Sequence, residues 1–121
     1  MAARGGRDDK YAGGGELGAV GWYDGNSGGK THPVGQKAAN GYGLYDMSGN
    51  VWEWAWDWYD TTTYAAGAAT DPVGPASGSY RVDRGGSWYY VPQSARVAAR
   101  DGDSPGNRGN VLGLRLLRTA P

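Results

Sequence analysis

The longest regular pattern in the chain is a run of tryptophans at every second position from Trp52 to Trp58. Because alternate residues of a strand point to the same face, this spacing predicts a strand with its indoles on one side. A buried tryptophan removes roughly 150–250 Å² from water, so we expect this strand to supply a large part of the core. The alternative is that the aligned indoles form a platform on which sugar or base rings stack.

Weaker patterns predict the other strands. Residues 18–23 (GAVGWY) and 96–100 (RVAAR) each indicate a short strand. Leu112, Leu114 and Leu116 share one face of an extended segment, which predicts a buried strand that closes the sheet.

Helical patterns are short and few. Short helices fit around residues 42–47 and 61–66. Turn-forming residues cluster at 24–29, and residues 60–79 and 101–110 have the composition of exposed loops. The chain is therefore predicted to have an α+β fold with short mixed strands, long loops and few helices.

Composition refines this picture. With 121 residues, the chain is expected to form a single domain over residues 1–121. Gly accounts for 23 residues, Trp for 6 and Tyr for 9, whereas Phe and Cys are absent. Because buried indole N–H and phenol O–H groups need hydrogen-bond partners, we expect polar contacts between side chains and the backbone of glycine-rich loops.

The charge balance excludes some classes of partner. The formal net charge is zero, so we expect neither nucleic acid nor a membrane surface as partner. No apolar run approaches the roughly 20 residues that cross a bilayer, so no membrane insertion is expected. The N-terminal segment lacks the apolar region of a signal peptide. The predicted location is the cytoplasm or a virus particle.

Two longer motifs carry a family resemblance. GLYDMSGNVWEW at residues 43–54 and RGGSW at residues 84–88, with a later LGLR, resemble the signature of the formylglycine-generating enzyme (sulfatase-modifying factor) family. The resemblance extends over residues 2–118 and implies a C-type-lectin-like fold. AARGG at residues 2–6 resembles a segment from the middle of the family's domain, which implies a domain shortened at its N-terminus.

The resemblance also allows the family's reaction to be tested. The enzymes oxidise a cysteine in sulfatases through two active-site cysteines that bind copper. Thiolates are the ligands that hold Cu(I), and this chain has no cysteine. Motifs of other catalytic classes, such as GxSxG and HExxH, are absent as well. We therefore predict that the chain is not an enzyme and requires no cofactor.

A structural calcium site is a further implication of the resemblance. The matching positions are the Asp46 and Glu53 carboxylates and the Gly49 and Val51 backbone carbonyls. Such an all-oxygen set suits a hard cation. The alternative is that the two carboxylates only accept hydrogen bonds from backbone N–H groups. Calcium-mediated sugar binding is not expected, because the Glu-Pro-Asn and Trp-Asn-Asp motifs of lectins are absent.

The C-terminal third resembles a second branch of the same fold, the variable proteins of diversity-generating retroelements. In that branch a reverse transcriptase misreads template adenines, so Asn codons change into a limited set of residues. Scaffold motifs here alternate with positions that all hold residues from that set. These positions are Tyr89, Tyr90, Val91, Ser94, Ala99, Asp101, Gly102, Asp103, Ser104, Gly109, Asn110 and Val111.

The residue types at these positions suit recognition. Tyr, Ser, Gly and Asp dominate antibody-like binding surfaces. The resemblance therefore implies a non-catalytic ligand-binding protein with a hypervariable surface, whose partner is a protein or a cell-surface ligand. The alternative is a non-catalytic domain of the same family with one fixed protein partner. For Tyr89 and Tyr90, partial packing into the core is the competing interpretation.

Overall fold

A computed structural model describes residues 2–62 and 74–117 of the chain. Its regular elements are short, and loops connect them over most of the sequence. In chain order they are a 3₁₀ turn at Ala2–Arg4, helix α1 at Leu17–Val20, strand β1 at Trp52–Trp58, strand β2 at Arg81–Arg84, a 3₁₀ turn at Pro92–Ala95, strand β3 at Asp101–Asp103 and strand β4 at Leu112–Gly113.

The strands form one four-stranded mixed sheet in the order β3-β2-β1-β4. β2 runs antiparallel to both β1 and β3, whereas β4 runs parallel to β1. Asp83 lies opposite Trp54, and Leu112 lies opposite Trp52. The predicted α+β class, with few helices and short mixed strands, is confirmed.

The tryptophan strand is buried at one end only. Trp52 is 5% exposed, whereas Trp56 is 86% exposed and Trp54 and Trp58 are partly buried. The pairing between β1 and β2 shifts register between Trp54 and Trp58, and such an irregularity bends a strand and re-aims its side chains. The prediction that the whole indole row lies in the core is therefore wrong.

Part of the apolar core lies beneath α1 instead. Leu17 and Val20 are buried on one face of the helix and cluster with Tyr11 and Ala95. The helix ends at Gly21, whose N–H donates to the Leu17 carbonyl at 2.8 Å. A Cβ at Gly21 would lie 2.0 Å from the Ser48 carbonyl oxygen, so only glycine fits there. The segment predicted as a strand at residues 18–23 is thus a helical turn followed by a loop.

Buried serines tie the glycine-rich loops together. Ser48 is fully buried; its hydroxyl donates to the Ala95 carbonyl at 2.7 Å and accepts from the Ala12 N–H at 3.0 Å. The Ser27 hydroxyl donates to the Trp88 carbonyl at 2.8 Å. Each bond replaces water at a buried backbone group. Side chains bonded to loop backbone, as expected from the composition, therefore fix these loops.

Three other element predictions were wrong. The predicted closing strand ends at Gly113, and Leu114 and Leu116 are exposed because only two residues pair with β1. Residues 96–100 form turns, and the strand begins at Asp101, inside the predicted loop. Residues 42–47 form turns and bends rather than a helix. Most of the helix predicted at 61–66 lies outside the described residues.

Candidate functional site: a face around Trp52 and a pocket at Asp46

A chain of aromatic rings leads from the buried end of β1 to the surface. The rings of Trp52 and Tyr90 meet edge to face at 5.7 Å, and Tyr90 and Tyr89 meet at 5.9 Å. Tyr89 then contacts Trp88 at 5.4 Å, again edge to face. Such pairs add about 0.5–1.5 kcal/mol beyond area burial. Tyr89 is nevertheless 66% exposed, so the ring chain presents its outer tyrosine to solvent.

Backbone hydrogen bonds hold the segment that carries these tyrosines. The Trp88 N–H donates to the Asn50 carbonyl at 2.7 Å, and the Asp24 N–H donates to the Tyr90 carbonyl at 3.2 Å. Gly86, with φ +71°, lies so close to Ala95 that a Cβ would meet its backbone at 2.9 Å. The RGGSW motif therefore forms a rigid turn that fixes the direction of the tyrosines.

A cavity of about 440 Å³ adjoins this turn on the Trp52 side. Ser94, Ala99 and Asp101, which are predicted variable positions, line it together with Trp52 and Tyr59. Arg96 and Arg100 also line it, and the Arg100 guanidinium lies over the Tyr59 ring at 5.1 Å. The structure thus places three predicted variable positions beside the rings of Trp52 and Tyr59.

The face around Trp52 comprises residues 89–91, residues 94–101 and a third segment, residues 109–111 in the loop before β4. The Trp88 indole N–H donates to the Asn110 carbonyl at 2.9 Å, and the Trp52 N–H donates to the Val111 carbonyl at 2.7 Å. Gly109 and Asn110 are exposed, whereas Val111 is partly buried. The same two tryptophans therefore contact residues 89–90 and 110–111, and Trp52 also lines the cavity that holds Ser94, Ala99 and Asp101.

Gly102 and Asp103 continue β3 after Asp101, and Ser104 follows the strand. A Cβ at Gly102 would lie 2.5 Å from Cγ of Tyr59, so a side chain there displaces the tyrosine. The Asp103 carboxylate accepts hydrogen bonds from the Ser104 N–H and from the Asn107 amide. Gly102 is thus in close contact with the scaffold, and Asp103 is engaged within its own loop.

A buried acid lies beneath this part of the sheet. Asp83 is 4% exposed and is paired directly with Asp101 across β2 and β3. Burial, and secondarily the charges of Asp101 and Asp103, raise the pKa of Asp83 to about 6. Sequence reasoning missed Asp83, Tyr59 and Arg100, because the strand register that assembles them leaves no local pattern in the sequence.

The four predicted calcium-site residues do meet in one place. A cavity of about 410 Å³ is lined by Asp46, Gly49, Val51 and Glu53, together with Arg115. Asp46 is 7% exposed and adopts φ +56°. One of its carboxylate oxygens, Oδ2, accepts from the Gly35 N–H at 2.7 Å, while Oδ1 is buried without a hydrogen-bond partner.

Glu53 is engaged differently. Arg115 donates to both of its carboxylate oxygens, at 2.9 Å from Nε and 2.7 Å from an Nη nitrogen. This pairing raises the pKa of Arg115. The Asp46 oxygen without a partner fits a cation, whereas Glu53 is already neutralised by the guanidinium. Within residues 2–62 and 74–117, no group of three or more His, Cys, Asp or Glu side chains is arranged to hold a metal.

No helix in the described part of the chain has the length and apolarity of a membrane span. This result concerns helices in those segments only.

Comparison with solved structures gives a close match to Treponema denticola variable protein 1. The TM-score is 0.86 with 48% sequence identity, and the match covers 93% of this chain and 42% of the other. The predicted resemblance to C-type-lectin-fold variable proteins is confirmed, as is the predicted fold.

Curated relatives include formylglycine-generating enzymes. The protein from Streptomyces coelicolor is 42% identical, over 74% of this chain and 30% of its own length. That from Thermomonospora curvata is 38% identical, over 95% of this chain and 45% of its own length. The chain thus spans less than half the length of these relatives.

These relatives correct one prediction. The chain was predicted not to be an enzyme because it lacks the cysteine pair of one reaction. Relatives named as enzymes at 38% and 42% identity contradict that classification. The missing thiols concern a single copper-dependent reaction and do not decide whether the chain belongs to an enzyme family.

The family model gives the same assignment along almost the whole sequence. It matches residues 1–120, which include both signature motifs, the face around Trp52 and the pocket at Asp46. This chain therefore belongs to the sulfatase-modifying factor enzyme 1-like domain family.

Proposed function

We propose that the chain is a ligand-binding protein whose surface is diversified by a retroelement, with a protein or cell-surface molecule as ligand. The observation that carries the proposal is the convergence of three separate segments on Trp52 and Trp88. Those segments hold most of the predicted variable positions, whose residues all belong to the set that is reachable from Asn codons. The likeness to Treponema denticola variable protein 1 supports the same function.

In the face around Trp52, backbone groups hold the loops in place, whereas exposed side chains are available to a ligand. Backbone groups of Trp88, Tyr90, Asn110 and Val111 make the hydrogen bonds that fix the loops. The side chains of Tyr89 and Asn110 are exposed and make no contribution to those bonds, and Gly109 is exposed as well. Substitution of an exposed side chain usually changes stability by less than about 0.5 kcal/mol. Such a surface tolerates many sequences on one backbone.

Tyrosine is the residue on this face most suited to binding. It gives a large contact area at a low cost in side-chain entropy, and tyrosines are frequent hot spots in interfaces. The edge-to-face contacts with Trp52 and Trp88 restrict both rings before a ligand arrives. This preorganisation lowers the entropy cost of binding.

The pocket at Asp46 is assigned a structural calcium ion in the same proposal. The buried Asp46 Oδ1 atom without a partner supports it, and the Gly49 and Val51 carbonyls would add further oxygen ligands. Glu53, which Arg115 neutralises, would join this set only after releasing the guanidinium. A bound cation would neutralise Asp46 and tie the loop before β1 to the strand. The ion would stabilise the scaffold rather than contact the ligand.

Two tests address the diversified face. Sequencing the DNA around the gene should reveal a near-identical template repeat, with adenines at the codons of the variable positions. For binding, one display library randomises Tyr89, Tyr90, Ser94, Ala99 and Asn110. A matched library randomises Lys30, Thr31, Gln36, Ala38 and Tyr42, which are exposed elsewhere.

Both libraries are selected against the same protein target, hen egg lysozyme, after sorting for folded protein. We expect binders from the first library at a clearly higher frequency than from the second, because its positions surround preorganised aromatic rings. Equal frequencies would contradict a specialised face. Absence of any template repeat with retained binding would favour the alternative, a family domain with one fixed protein partner.

A further inference from the structure

The C-terminal end of β1, at Trp56 and Trp58, carries a second aromatic site, and we call it the outer end of the strand. Trp56 is 86% exposed. The Arg81 guanidinium lies over the Trp58 ring at 3.7 Å and near the Trp56 ring at 5.2 Å, and it donates to the Trp56 carbonyl. Gly78 packs against Trp58, where a Cβ would lie 3.1 Å from the tryptophan Cβ. These contacts therefore hold Trp58 and Arg81 in place, whereas most of the Trp56 ring beside them is exposed to solvent.

These side chains line a cavity of about 390 Å³. Its size falls in the range of about 300–1,000 Å³ that is typical of small-ligand sites. Asp57 and Pro75 also line it, and it shares no lining residue with the cavity beside Trp52. Among the described residues, no carboxylate forms an ion pair with Arg81.

The groups around this cavity favour a ligand with a particular arrangement of C–H and polar groups. The exposed indole face of Trp56 is the negative side of its quadrupole and attracts weakly positive C–H groups. Arg81 offers N–H donors in a fixed plane, and Asp57 offers carboxylate acceptors. A ligand that fits all three has a flat C–H surface with hydroxyl groups on its rim that both donate and accept.

We propose that the outer end of β1 is a carbohydrate-binding site in which a pyranose ring stacks on Trp56 and its hydroxyl groups bond to Arg81 and Asp57. A nucleotide fits less well, because its phosphate would be repelled by Asp57. The site uses none of the predicted calcium residues and none of the predicted variable positions. The proposed carbohydrate site can therefore be tested independently of the proposed binding face around Trp52.

The test is saturation-transfer NMR on the purified chain with the methyl glycosides of glucose, mannose, galactose and N-acetylglucosamine. We expect transfer to ring C–H protons of at least one glycoside. Trp56→Ala should weaken that binding by about tenfold or more, because the ring on which the pyranose stacks is removed. Arg81→Lys, which keeps the charge but loses the planar donors, should also weaken it.

Matched controls locate the site. Tyr42→Ala removes another exposed aromatic ring that lines none of the cavities described above, and Tyr90→Ala alters the face around Trp52. Both should bind glycoside like the parent chain. The proposal is overturned if no glycoside binds, if Trp56→Ala binds within about twofold of the parent, or if Tyr90→Ala abolishes binding. Binding of adenosine monophosphate without any glycoside would overturn it as well.

Discussion

The two ends of β1 have nearly the same sequence pattern but opposite environments. At the inner end, Trp52 is covered by Tyr90 and bonded through its backbone to Val111. At the outer end, Trp56 is 86% exposed and has the Arg81 guanidinium beside it. Burial in this glycine-rich chain is therefore decided by which distant loop covers a residue. The periodicity of the strand itself does not decide it.

The first prediction tests that contrast directly and has the largest expected effect. Trp52→Ala should destabilise the chain by about 3–5 kcal/mol, because a large buried ring is removed and its neighbours lose their packing partner. Trp56→Ala should cost less than about 0.5 kcal/mol, as for an ordinary surface change. Urea denaturation of the two variants under the same conditions gives both free energies of unfolding.

A loss of similar size in the two variants would break the comparison, since it would mean that the outer indole also packs in the folded state. If Trp52→Ala does not fold, Trp52→Phe supplies the measurement, because it keeps an aromatic ring near Tyr90. Its cost should still exceed that of Trp56→Phe.

The same contrast shows how much the sequence could predict. The signature motif contains Asp46, Gly49, Val51 and Glu53, and these residues line one cavity because a long contiguous motif fixes its own local geometry. It did not show that Arg115 pairs with Glu53 from 62 residues away. Long-range partners of this kind decide charge and burial, and a single sequence contains no record of them.

The strand errors have a related cause. Alternation predicted that Trp56 and Leu116 are buried, yet both are exposed. Alternation shows which residues share a face, but whether another element covers that face depends on the rest of the fold. Likewise, the resemblance to variable proteins implied a variable position at Gly102, and in the structure a Cβ there would lie 2.5 Å from Cγ of Tyr59.

The second prediction concerns the metal pocket next to the inner end. If calcium binds at Asp46, a concentration 100-fold above its Kd should stabilise the folded chain by about 2.7 kcal/mol. Chelator should lower the Tm, and Asp46→Asn should abolish the response. Asp57→Asn at the outer end is the matched control and should leave it intact. If neither calcium nor chelator changes the Tm of the parent chain, the proposed structural calcium ion at Asp46 is contradicted.

The third prediction uses Asp83, which lies opposite Trp54 between the two ends. Its pKa is raised from 3.8 to about 6 in the folded chain, so folding favours the protonated carboxyl. The resulting stability is complete below the unfolded value and is lost as pH rises through 6. We expect the chain to lose about 2 kcal/mol from this group between pH 4 and pH 7.

Asp83→Asn should flatten this part of the stability profile and make the chain more stable than the parent at pH 7. Asp101→Asn should reduce the slope only in part, because burial is the larger cause of the shift and the Asp101 charge is secondary. Chemical denaturation at several pH values measures both effects. An unchanged slope in Asp83→Asn would show that another group is responsible.

The last prediction has the smallest expected effect on stability and concerns the surface above Trp52. Tyr89→Ser and Asn110→Asp change only exposed side chains, since Asn110 is held through its carbonyl and Tyr89 is mostly in water. Each should change the free energy of unfolding by less than about 1 kcal/mol. Gly102→Ser, by contrast, should cost more than either, because the new Cβ meets the Tyr59 ring. Thermal denaturation of the three variants separates positions that the scaffold leaves free from the one that it constrains. A Tyr89→Ser cost as large as that of Gly102→Ser would mean that the tyrosine is part of the core, and a face built to vary could not include it.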